Sequence, residues 1–107
     1  MNKISYKNIE LDMDSIKCFI DGAYVKLTKT EFLLVKLFIN NINKILSRKD
    51  ILNSLESKAS LRTVDATVSR LKKKLGVSGN FIKTRFGFGY GIIESNFNKW
   101  TFNKRIA

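Results

Sequence analysis

The stretch between residues 62 and 75 constrains the fold of this chain more than any other part of the sequence. Its large apolar residues recur at the three- and four-residue intervals of an amphipathic helix, and they are Val64, Val68, Leu71 and Leu75. Gly76 follows directly, and glycine commonly ends a helix. The sequence therefore predicts a helix over residues 62–75 that packs on a core along one narrow stripe.

The opposite side of this predicted helix is small, hydroxylated and cationic. Its central arc consists of Arg62, Ala66, Ser69, Arg70 and Lys73. The flanking positions are Thr63, Thr67 and Lys74 on one side and Asp65 and Lys72 on the other. Such side chains suit DNA, because arginine pairs with guanine edges, serine and threonine bond to either kind of base, and alanine contacts the thymine methyl. A solvated cationic face on an ordinary amphipathic helix is the alternative interpretation.

The charge of the chain is concentrated near this helix. The 107 residues carry a net charge of +11. Residues 1–26 hold four basic and four acidic residues and are balanced, so the remainder carries the whole excess. In residues 62–85 only Asp65 is acidic, while the basic residues are Arg62, Arg70, Lys72, Lys73, Lys74, Lys83 and Arg85. This asymmetry favours a polyanionic partner.

The elements before this helix follow from local patterns. Residues 4–27 alternate apolar and polar residues in short runs separated by turn residues, which predicts an antiparallel meander. Thr28 and Glu31 form a capping box that starts a strongly apolar first helix, which we expect to end near Asn40. Ser47 and Asp50 resemble a second capping box that starts a second helix, which is followed by a loop at 56–60.

After the 62–75 helix, residues 81–85 and 90–93 read as two strands joined by a glycine-rich turn. We interpret this run as a basic hairpin rather than a phosphate-binding loop, because a dinucleotide loop follows a strand and opens a helix. The basic members on the first strand are Lys83 and Arg85, with Thr84 between them. A helix behind residues 62–75 and a hairpin after it predict a helix-turn-helix with a wing.

Composition excludes several chemistries. The sequence has no histidine, and Cys18 is its only cysteine, so imidazole catalysis and internal disulfides are absent. We interpret Cys18 as a core residue. We assign Asp65 a structural role in the first turn of its helix, near Arg62. We expect no catalytic residues, metal, cofactor or phosphoacceptor, and the lack of an apolar N-terminal run predicts a cytoplasmic protein.

Four segments together resemble the OmpR/PhoB family, the winged-helix effector domains of two-component response regulators. They are LTKTEFLL at 27–34, LSRKDIL at 46–52, RTVDATVSRLKKKL at 62–75 and IKTRFGFGY at 82–90. The resemblance covers roughly residues 4–93. Three positions depart from the family pattern: Glu56 replaces a frequent tryptophan, Phe86 stands where an arginine commonly precedes the glycine turn, and Gly91 stands where arginine often follows the tyrosine.

The resemblance implies an α+β fold with a four-stranded N-terminal antiparallel sheet, three helices and a C-terminal β-hairpin wing. It implies that helix 62–75 enters the major groove of double-stranded DNA and that hairpin 81–93 reaches the minor groove. It also implies binding of a second copy on DNA and contact of loop 56–60 with RNA polymerase. The expected DNA-binding residues are Arg62, Thr63, Ala66, Thr67, Ser69, Arg70, Lys72, Lys73, Lys74, Lys83, Thr84 and Arg85.

Within this hypothesis, Arg70 and Lys73 read bases, while Lys72, Lys74 and the basic hairpin residues contact phosphates. Residues 1–95 form the domain, and residues 96–107 form a tail of unassigned role. The chain is too short to include a receiver domain, so we expect an excised effector domain or an orphan regulator. The alternatives are a basic RNA-binding or ribosome-associated domain, which would need exposed aromatics such as Phe86 and Phe88, and a protein-interaction or anionic-membrane module.

Overall fold

A computed structural model describes residues 2–55 and 61–94 of the chain. The first four strands form an antiparallel sheet in which each strand pairs with the next. They are β1 (Lys3–Tyr6), β2 (Ile9–Asp12), β3 (Lys17–Ile20) and β4 (Ala23–Val25). Ile9, Leu11 and Cys18 point from this sheet into the core and are buried. The predicted meander and the core position of Cys18 are thereby confirmed, and burial raises the pKa of the Cys18 thiol to about 11.

Helix α1 (Lys29–Ile39) runs through the centre of the core. The predicted capping box is present, since the Glu31 amide donates to Thr28 Oγ1 at 3.1 Å and the Thr28 amide donates to Glu31 Oε1 at 2.8 Å. The apolar side chains that α1 buries are Phe32, Leu34, Val35, Phe38 and Ile39. Helix α1 ends as expected, with Asn40 as its C-cap.

Helix α2 (Arg48–Leu55) begins with the second predicted box, in which the Asp50 amide donates to Ser47 Oγ at 3.0 Å. Ile51 is fully buried beneath it. Helix α3 (Leu61–Leu75) starts one residue before its predicted beginning and ends where predicted. All four residues of its apolar stripe are buried, which confirms the stripe: Val64, Val68, Leu71 and Leu75. The predicted loop at 56–60 and the tail at 96–107 lie outside the described residues.

A short 3₁₀ helix (Gly76–Phe81) connects α3 to the C-terminal hairpin, so Phe81 belongs to that helix and not to the predicted strand. The hairpin consists of β5 (Ile82–Arg85) and β6 (Gly89–Ile92). The four-stranded sheet, the three helices and the hairpin together confirm the predicted α+β winged-helix architecture.

The hairpin is fixed to the segment before α2 by its backbone. The Leu46 amide donates to the Tyr90 carbonyl at 2.8 Å, and the Tyr90 amide donates to the Leu46 carbonyl at 3.0 Å. Side chains at the neighbouring glycines would prevent this approach, because a Cβ at Gly89 would lie 1.9 Å from the Leu46 carbonyl oxygen and one at Gly91 would lie 2.1 Å from that of Lys44. The glycines at 89 and 91 therefore serve close backbone packing.

Candidate nucleic-acid interface

The outward side of α3 carries most of the predicted binding residues. Those that are exposed are Arg62, Thr63, Ala66, Ser69, Arg70, Lys73 and Lys74. Lys72 is half-buried at the edge of this set. Because the apolar stripe of α3 is buried on the opposite side, these groups form a single basic and hydroxylated surface, which we call the α3 face.

Thr67 is a correction to the predicted set. Its side chain is only 6% exposed, and it lies beside Ile51 and Val64 in the seam between α2 and α3. The helical angle of Thr67 places it on the flank of the α3 face, and α2 packs over that one position. Thr67 is therefore not available to contact a base or a phosphate directly.

Lys74 differs from the other exposed lysine of the α3 face, because its ammonium group is paired with a carboxylate of the domain while its side chain stays 39% exposed. Lys74 Nζ donates to Glu31 Oε1 at 2.7 Å, and the Glu31 side chain is only 2% exposed. Burial alone would raise the pKa of Glu31, but hydrogen bonds from Lys74 and Thr28 outweigh it and hold that pKa below its ordinary value. Glu31 is therefore a buried carboxylate whose charge Lys74 compensates, and the predicted phosphate contact of Lys74 would compete with this pair.

Arg70 lies over the same carboxylate but keeps an outward guanidinium. Its Nε is 4.0 Å from Glu31 Oε2, and its Nη2 donates to Thr67 Oγ1 at 3.4 Å. The Arg70 side chain is nevertheless 59% exposed. These two long contacts leave most of the guanidinium accessible, which suits a donor able to reach a base edge.

The hairpin adds a second basic surface. Lys83, Thr84 and Arg85 are all exposed on β5, whereas every residue of β6 is buried. At the tip between the strands, Phe86 and Phe88 are the most exposed aromatic side chains of the described residues. The hairpin therefore presents its cationic strand outward and uses the other strand to attach to the domain.

Asp65 connects the α3 face to the hairpin, a link that the sequence interpretation missed. Asp65 lies in the second turn of α3, and its partners are Arg48 and Tyr90 instead of Arg62. Arg48 Nε donates to Asp65 Oδ1 at 2.8 Å, and the Tyr90 hydroxyl donates to the same oxygen. These bonds from Tyr90 and Arg48 hold the pKa of Asp65 below its ordinary value. The expected structural role is supported, with different partners.

The described residues contain no cluster of three or more side chains able to hold a metal ion. Among the helices of residues 2–55 and 61–94, none is long and apolar enough to cross a membrane.

Comparison with known proteins agrees with this architecture. The family model described as "Transcriptional regulatory protein, C terminal" matches residues 22–92. The response regulator ArlR of Staphylococcus saprophyticus is 34% identical over 96 residues, which cover 85% of this chain and 44% of ArlR. The transcriptional regulatory protein SrrA of Staphylococcus aureus is 33% identical over 101 residues, covering 87% of this chain and 42% of SrrA. The chain thus spans less than half the length of these relatives.

Two similar solved structures are DNA complexes. The DNA-binding domain of the response regulator AdeR, solved with an intercistronic region, has a TM-score of 0.77 and 36% identity, covering 87% of this chain and 99% of that one. The RstA DNA-binding domain of Klebsiella pneumoniae, solved with the RstA box, has a TM-score of 0.76 and 25% identity, covering 87% and 98%. On its sequence match and its fold, the chain belongs to the OmpR/PhoB-type family of transcriptional regulatory protein C-terminal domains.

Proposed function

We propose that this chain is the sequence-specific DNA-binding output domain of a two-component response regulator. The observation that carries the proposal is the α3 face, which is exposed, basic and opposite a fully buried apolar stripe. The DNA complexes of the similar AdeR and RstA domains support a duplex as the partner. In this function α3 enters the major groove and the β5–β6 hairpin contacts the neighbouring backbone and minor groove.

The exposed groups divide into two roles. Arg70 and Lys73 read base edges, with Ser69 and Ala66 adjusting the preference. The remaining groups position the domain on phosphates, and they are Arg62, Thr63, Lys72, Lys83, Thr84 and Arg85. Thr67 acts from beneath the surface by accepting from Arg70, and Lys74 neutralises Glu31 at its edge.

The properties of the whole regulator rest on the family resemblance. They include pairing of two copies on DNA, contact of segment 56–60 with RNA polymerase, and control by a phosphorylated receiver domain. A cytoplasmic location and the absence of enzymatic activity belong to the same proposal.

Selection of bound duplexes from genomic DNA, followed by affinity measurements over a salt titration, tests the proposed function. We expect a defined motif, and we expect Arg70→Ala to cost about 1–3 kcal/mol and to relax one base preference. Equal weakening on all sequences would show that Arg70 contacts only phosphate. Tighter binding to single-stranded RNA than to the selected duplex, at equal salt, would overturn the proposal in favour of an RNA-binding domain.

A further inference from the structure

The hairpin tip exposes two large apolar side chains. Phe86 is 92% exposed and Phe88 is 75% exposed, on either side of Gly87. Leaving this much apolar surface in water forgoes the free energy that burial would provide. Exposed apolar side chains at such a site therefore mark a surface that becomes buried on binding a partner.

The backbone holds this tip in a defined position. The Phe88 amide donates to the Arg85 carbonyl at 2.9 Å, which closes the turn, and Gly87 adopts the positive φ of 83° that the turn requires. Arg85 then pairs with Gly89 at the start of the strands. Two residues from the tip, Tyr90 is bound to Leu46 by its backbone and to Asp65 by its hydroxyl. Little backbone conformational entropy therefore remains to be lost when the tip binds.

The surroundings of the tip indicate the chemistry of its partner. Lys83 and Arg85 are exposed on the strand that leads into it, so an anionic partner is favoured. The bond between Tyr90 and Asp65 attaches the hairpin to α3. The tip and the α3 face therefore bind the same continuous ligand. An extended polyanion with an apolar interior fits both surfaces, and a DNA duplex has that interior between its stacked base pairs.

We propose that Phe86 and Phe88 act as an apolar wedge that enters the minor groove beside the α3 site, partly unstacks one base step and bends the duplex. This inference rests on the proposed function and extends it. Apolar wedges in the minor groove kink DNA toward the major groove. Pyrimidine–purine steps unstack most readily, so the wedge confers a preference for TA or CA at a position that no side chain reads by hydrogen bonds.

The test uses the selected duplex labelled at its two ends with a donor and an acceptor fluorophore, so that energy transfer reports the bend. We expect the wild-type chain to bend this duplex and the double variant Phe86→Ala/Phe88→Ala to lose roughly 20° or more of that bend. A TA step placed under the tip should be favoured over GC by about fivefold or more in the wild type and by less than about twofold in the variant.

Val77→Ala is the matched control, because Val77 is 87% exposed and lies beyond the other end of α3. It should leave the bend and the step preference unchanged. Duplex binding by the double variant with an unaltered bend and step preference would overturn the wedge while leaving the proposed function intact. Failure of the wild type to bind any duplex would instead refute the proposed function. If the double substitution abolished binding to single-stranded RNA and left the bending of the duplex unchanged, the tip would be a base-stacking surface for RNA. That result would also overturn the wedge.

Discussion

The two ends of α3 are attached to the domain by carboxylates in opposite environments. Toward the C-terminal end, Lys74 reaches the carboxylate of Glu31, which is 2% exposed. Toward the N-terminal end, Asp65 accepts from Arg48 and Tyr90 with a side chain that is 43% exposed. Both carboxylates belong to networks of two or more hydrogen bonds, so the main difference between them is their access to water.

Because of this difference in access to water, we expect one carboxylate to control the stability of the domain and the other to control the orientation of the hairpin. When a buried carboxylate loses its cation, water cannot reach the carboxylate to replace the lost interaction, and the folded state is destabilised. An exposed carboxylate is resolvated when its partner is removed, and the loss is small. We therefore expect the Glu31 end to determine how stable the domain is, and the Asp65 end to determine how the hairpin is oriented against α3.

The sharpest test of this comparison is Lys74→Met against Lys73→Met. Lys74→Met leaves the Glu31 carboxylate buried without its main partner and should lower the free energy of unfolding by about 2–3 kcal/mol. Lys73 is exposed one residue away, so Lys73→Met should change stability by less than about 0.5 kcal/mol. Urea denaturation measures both.

Binding should show the reverse order for the same pair. Lys73→Met should weaken duplex binding and relax a base preference, while Lys74→Met at a temperature where it is folded should retain both the affinity and the preference. Equal stability of the two variants would show that the Glu31–Lys74 pair does not support the fold.

The dependence of stability on acidic pH is the next test of the Glu31 end of α3. The folded-state pKa of Glu31 is lowered from its ordinary 4.5, so its contribution to stability is fully present above pH 4.5 and is lost as the pH falls through the lowered pKa. Glu31→Gln should cost about 1–2 kcal/mol at neutral pH and should flatten the decline of stability in that acidic window. Unfolding curves from pH 7 downward measure this, and an unchanged decline in the variant would contradict the assignment.

Tyr90→Phe probes the Asp65 end with the removal of one oxygen. The loss of the hydroxyl bond to Asp65 should lower stability by about 1 kcal/mol and weaken duplex binding without changing the salt slope, because no phosphate contact is removed. Tyr24→Phe, at an exposed tyrosine of β4, is the matched control and should be silent in both measurements. A changed salt slope in Tyr90→Phe would indicate that the hydroxyl acts on the DNA directly.

Arg48→Ala should have the smallest effect of the set. The pair of Arg48 with Asp65 is nearly half-exposed on both sides, so we expect a small loss of stability at low salt that disappears at high salt. Unfolding curves at two salt concentrations measure it. A loss as large as that of Lys74→Met would remove the distinction between the two ends.

The parts of the fold that the sequence predicted are those with a local cause. The caps at Thr28 and Ser47 depend on partners three residues away, and the stripe of α3 depends on helical periodicity. The two carboxylate networks escaped prediction because Glu31 and Lys74 are 43 residues apart and Asp65 and Tyr90 are 25 apart. A single charge pattern does not show which pairs the tertiary fold brings together.

The same reason explains the correction at Thr67 and the unpredicted partner of Lys74 in the candidate site. Periodicity placed Thr67 and Lys74 on the flank of a cationic face, and it correctly put both away from the apolar stripe. The surroundings of a flanking residue depend on the neighbouring elements, and here α2 covers Thr67 while Glu31 of α1 pairs with Lys74, which stays exposed. The centre of a helical face is therefore more predictable than its margins.

The glycine-mediated contact of the hairpin with the segment before α2 has a geometric consequence. With β6 held against Lys44 and Leu46, and Tyr90 bound to α3, the distance from helix to hairpin tip is set when the chain folds. A target must then offer its wide and narrow grooves at that separation and rotational phase, so the helical repeat of the DNA itself becomes a criterion of selection.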